Sequence, residues 1–80
     1  HKPIYIMASV TIRYGMTNAV TRDFDNESTI SDVVSDNGIR AALSAPENVR
    51  AVSGGRTLEG HEYTTSFTSI TLEQQASSKA

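Results

Sequence analysis

Asp23, Asp25 and Glu27 stand at alternate positions, as the first three ligands of a calcium loop do. The rest of that loop is missing. Ser28 occupies the place of the turn glycine, and Val34 that of the bidentate glutamate. The cluster therefore reads as a solvated strand end that leads into a helix. His61-Glu62 offers one imidazole beside one carboxylate, whereas zinc takes three or four ligands. As a general base His61 needs a nucleophile, and Ser53 lies in no Gly-x-Ser-x-Gly elbow. Gly54-Gly55-Arg56-Thr57 lacks the upstream glycine and the lysine of a phosphate loop. A tight turn accounts for both glycines. Asn26-Glu27-Ser28 is a glycosylation sequon, which matters only to a secreted chain. The chain has no cysteine, so a thiol nucleophile, thiolate ligands and a disulfide framework drop out together. The expectation is a protein that is not an enzyme and uses no metal and no cofactor.

The arginines point elsewhere. Arg13, Arg22, Arg50 and Arg56 are spread among stretches that alternate apolar and polar residues. In a strand, successive side chains point to opposite faces. With Val10/Ile12 and Val49/Ala51 turned inward, Arg13 and Arg50 share the outer face with Thr11, Thr21, Asp23, Thr71 and Glu73. These seven residues form the candidate interaction face. Its charges are mixed, as on an ordinary protein surface, and no aromatics interleave to stack bases. A net charge of −2 gives no general pull toward phosphate or anionic lipid. A protein partner is therefore the first expectation, and nucleic acid ranks well below it.

The elements that carry this face are legible by period. Ser9–Tyr14 and Ala19–Phe24 read as two strands joined by the Gly15–Asn18 turn. Thr29-Ile30-Ser31-Asp32 fits a capping box, with Asp in place of the commoner Glu. Ile30, Val33, Val34, Ile39, Ala42 and Leu43 follow at helical spacing. Asn37-Gly38 interrupts them as a stop or kink, so the stretch is one bent helix or two short ones, closed by Pro46. Asn48–Val52, Arg56–Leu58 and Ser69–Glu73 are further strands, with Gly60–Phe67 as loop between the last two. The predicted core is Val10, Ile12, Val20, Phe24, Ile30, Val33, Val34, Ile39, Leu43, Val49, Ala51, Leu58, Phe67, Ile70 and Leu72.

Eighty residues make one domain at most, and that domain is expected over residues 7–75. Met7-Ala8 reads as a natural start, which leaves residues 1–6 as a tag or linker remnant. Residues 76–80 are polar and read as a flexible C-terminal tail. No apolar run approaches the roughly 18 residues of a membrane span, and no signal peptide is visible. A cysteine-free small domain fits a reducing compartment, so the expected location is cytoplasmic.

The order ββαββ(β), an α+β arrangement with a helix on one face of a mixed sheet of four or five strands, resembles the β-grasp, or ubiquitin-like, superfold. The likeness rests on Val10-Thr11-Ile12-Arg13-Tyr14, on Thr29–Val34, on Val49–Arg56 and on Ser69–Glu73. In detail it resembles the sulfur carriers of thiamin and molybdopterin synthesis. Those proteins act through a terminal Gly-Gly, whereas this sequence closes on Ala76-Ser77-Ser78-Lys79-Ala80 and holds its one Gly-Gly, Gly54-Gly55, inside. Carrier chemistry is thus not implied. The resemblance implies a scaffold that docks partners through its sheet face or an edge strand, as a monomer or weak homo-oligomer. The alternatives are a nucleic-acid-binding accessory protein and a carrier-like subunit that docks to an enzyme without a reactive tail.

Overall fold

A computed structural model describes residues 6–75. The remnant and tail readings, apart from Ile6, fall outside the described residues. Ile6 is exposed.

The first two strands, β1 (Ala8–Tyr14) and β2 (Asn18–Phe24), form an antiparallel hairpin in the register Ile12 to Val20. Two helices follow, α1 (Ile30–Val34) and α2 (Asn37–Leu43). The remaining strands are β3 (Val49–Ser53), β4 (Arg56–Thr57) and β5 (Ser69–Gln74), with a 3-10 turn at Thr64–Ser66. The sheet order is β2-β1-β5-β3-β4. β5 lies parallel to β1 and antiparallel to β3, so the last strand enters the middle and joins the N-terminal hairpin to the C-terminal one.

α1 starts where the capping box says it must. The Thr29 side chain accepts from the Asp32 backbone N–H, and the Asp32 carboxylate accepts from the Thr29 N–H at 3.0 Å. The helical stretch is two helices rather than one bent one, and the reason is a second cap. Asp36 has extended backbone and its carboxylate accepts from the Ile39 N–H at 3.0 Å. Asn37-Gly38, read as a stop or kink, opens α2. Ser44 ends α2 in the left-handed region, at φ 56°, just ahead of Pro46.

Every predicted core residue lies in or against one core. Val10, Ile12, Ile30, Val33, Ile39, Leu43, Val49, Ala51, Leu58, Ile70 and Leu72 are buried, and Val20, Phe24, Val34 and Phe67 pack against them half-buried. The helices thus close the inner face of the sheet, and among the described residues the outer face is left open. The Gly54-Gly55 turn has φ of 61° and 78°, the left-handed region that glycine enters without strain.

The Gly60–Phe67 stretch is more than a loop. Its backbone carbonyls supply the cap of α1: Ile30 N–H donates to Glu62 C=O at 2.8 Å and Ser31 N–H to Gly60 C=O at 3.0 Å. In return Thr64 N–H donates to Ser28 C=O at 2.9 Å, and Thr29 and Tyr63 form a β-bridge. These bonds satisfy N–H groups that a helix start otherwise leaves open. Thr64 is fully buried by this arrangement, and its hydroxyl has no partner among the described residues.

Candidate functional site

Strand pairing fixes where each outer side chain stands. Thr11 lies opposite Thr21, and their hydroxyls share a hydrogen bond at 3.0 Å. Asp23 lies opposite Ser9 and accepts its hydroxyl at 2.6 Å. Arg50 lies opposite Glu73, with Nη2 3.2 Å from Oε1. Arg13 lies between Ala19 on β2 and Thr71 on β5, and Val52 and Thr57 continue that row across β3 and β4. The seven residues picked from alternation therefore share one surface, with neighbouring inner positions filled by Val10, Ile12, Val49, Ala51, Ile70 and Leu72.

Five further residues belong to this face and were not singled out from sequence: Ser9, Ala19, Val52, Thr57 and Ser69. Val52 is the instructive one. A valine in a strand reads as core, yet it falls in step with Arg50, and parity puts it outside. Arg22 takes the other side. It pairs across from Val10 on the edge strand β2, so it lies on the helix side and not on the candidate face. Arg56 pairs across from Ser53 and also turns away from the outer face.

The other sequence candidates resolve into structural parts. Asp25 accepts the backbone N–H groups of Glu27 and Ser28 at 2.9 and 3.0 Å, which is an Asx turn into the helix. His61 is exposed, with Glu59 4.0 Å away. Arg56 makes a two-pronged pair with Glu62, at 3.0 and 2.9 Å, and its guanidinium lies 5.9 Å from the Phe67 ring centre. Glu62 also accepts the Glu59 N–H at 2.7 Å. The hydrogen bond from Arg56, then that from the Glu59 backbone, hold the Glu62 carboxyl down to about 2. Among the described residues no three potential ligands gather for a metal. No helix among the described residues is long and apolar enough to cross a membrane.

No protein-family model matches the sequence. No curated protein matches it either. Solved structures do match. A designed protein based on ubiquitin is similar at a TM-score of 0.68 and 18% identity, over 92% of this chain and 95% of that one. A chain described as "Molecular Mimicry of SUMO promotes DNA repair" is similar at 0.65 and 11%, over 91% and 96%. Ubiquitin of Caldiarchaeum subterraneum is similar at 0.61 and 15%, over 91% and 99%. At these identities the likeness is one of fold. The narrower likeness to sulfur carriers finds no support in these matches and rests on sequence pattern alone. With helices packed on a five-stranded mixed sheet and matches that span most of both chains, the chain has the α+β fold of the ubiquitin-like β-grasp.

Proposed function

We propose that this protein is a non-catalytic protein-interaction module that docks a partner through the open sheet face. The observation that carries this reading is the outer surface of β1, β5 and β3. No element among the described residues covers it, and it presents Arg13, Thr71, Arg50 and Glu73 while the strands build the core from the other parity. Such a polar face supports a modest, salt-sensitive affinity rather than an obligate hydrophobic contact. A monomer or weak homo-oligomer in a reducing cytoplasm fits this use. Pairing of a partner strand with the free edge of β2 is the competing geometry.

Affinity capture from source cells tests the reading, with the wild-type chain and an Arg13→Glu/Arg50→Glu variant as paired baits. A protein held by the wild type and lost by the variant is the expected result. A partner held equally by both excludes the face. Hydrogen exchange on the complex then separates the two geometries. Strand addition slows exchange along Asn18–Phe24, whereas docking on the face leaves that edge unchanged.

A further inference from the structure

The charged residues of the open face are not equivalent. Arg50 is held by Glu73, and Asp23 is engaged by the Ser9 hydroxyl. Thr11 and Thr21 satisfy each other. The Arg13 side chain is exposed and makes no hydrogen bond or ion pair among the described residues. Thr71, opposite it on the parallel strand β5, likewise has no side-chain partner among them. The other neighbours in that row are Ala19 and Val52, which are short and uncharged. Elsewhere Arg40 reaches Asn37 and Arg56 reaches Glu62, while Arg22 sits on the helix side. Among the described residues the outer face thus holds one guanidinium whose donors are unused, and the hydroxyl directly across from it is unused too, between low side chains that let a partner come close.

Resting on the interaction reading above, we propose that Arg13 and Thr71 together receive a carboxylate, an aspartate or glutamate side chain of a protein segment lying across β1 and β5. A planar guanidinium matches a carboxylate with two parallel N–H···O bonds, and a hydroxyl on the next strand adds a third donor. Contact over Ala19 and Val52 excludes water and strengthens the pair. Arg50 does not compete for the role, because a partner would first have to displace Glu73. A phosphate backbone fits this arrangement poorly. Its affinity grows with the number of cations engaged, and among the described residues the face offers one cation without an ion-pair partner, on a surface that also carries Asp23 and Glu73 and a chain of net charge −2.

A library of random linear peptides panned against the immobilised chain tests this. Peptides that shift amide signals of β1 and β5 should be enriched in Asp and Glu over the input library. Affinity of the best peptide should fall at least about tenfold in Arg13→Gln. It should fall less in Arg13→Lys, which keeps the charge and loses the fork, and by less than about threefold in Arg50→Gln. An unchanged amide spectrum away from position 13 confirms that each variant is folded. Face-binding peptides without acidic enrichment, or indifferent to Arg13→Gln, overturn the carboxylate inference and leave the interaction face standing. Recovery of no face-binding peptide overturns the face reading as well. Preferential binding of a single-stranded oligonucleotide, with a salt slope of several charges, overturns both.

Discussion

Two regions of this molecule are rich in polar and charged side chains, and they use them in opposite ways. Across β4 and the Leu58–Phe67 crossover the charged pair that is engaged serves the framework, although His61 is exposed and the buried Thr64 hydroxyl has no partner among the described residues. Arg56 is forked onto Glu62, Glu62 also takes the Glu59 N–H, and the carbonyls of Gly60 and Glu62 cap α1. On the open face the pairing is partial, and it leaves the Arg13 and Thr71 side chains without a partner among the described residues. What sets the face apart is a guanidinium without a partner among the described residues, whereas Arg56 beside the crossover is already held by Glu62.

If the crossover and core are framework, substitutions there move stability, and substitutions on the face do not. Ile12→Ala should have the largest effect. Ile12 is fully buried directly beneath the face, and its truncation should cost about 2–5 kcal/mol in urea unfolding. Thr29→Ala removes the side chain that caps α1 at the point where the crossover joins it, for a loss of about 1 kcal/mol by the same assay. Thr64→Val sharpens the comparison from the other side. It replaces a fully buried, unpartnered hydroxyl with a methyl of like shape and should raise stability by about 1 kcal/mol.

The smallest effect is pH-dependent. Glu62 is held at about 2 in the folded chain, below the ordinary glutamate value of about 4.3. A depressed folded-state carboxylate contributes stability that is fully present above the unfolded value and fades as pH falls toward the folded one. The difference in unfolding midpoint between wild type and Glu62→Gln should therefore be constant at neutral pH and shrink between about pH 4.5 and pH 2. A difference that stays level across that window would show that the Arg56–Glu62 clasp is not what holds Glu62 ionised.

Much of this framework was legible as a period. Alternation gave β1, β2, β3 and β5 and put Arg13 and Arg50 on one face, since a strand has only two sides. The Thr29–Asp32 box gave the start of α1 because its two bonds are local. The second helix was harder. Asn37-Gly38 has the composition of a helix end, and the cap that makes it a beginning is Asp36, which only the reach to the Ile39 N–H identifies. The Gly60–Phe67 crossover was illegible for a different reason. Its work is done by backbone carbonyls, which every residue carries, so no side-chain pattern marks it.

The site shows the same division between local and long-range information. Membership of the face follows from parity within each strand. Partnership does not, because it depends on which strands are neighbours and in which register. From sequence Arg13 and Arg50 are equivalent. The order β2-β1-β5-β3-β4 separates them, giving Glu73 to Arg50 and the unpaired Thr71 to Arg13.

That separation rests on the parallel register of β1 against β5, and through-space proton contacts between the strands of the labelled chain measure it directly. The account predicts cross-strand amide and α-proton contacts linking the Arg13 and Thr71 region, with Thr71 also in contact with Val52 on its other side. Contacts that instead place Leu72 opposite Arg13, a slip of one residue, would turn Thr71 away from the open face and contradict it.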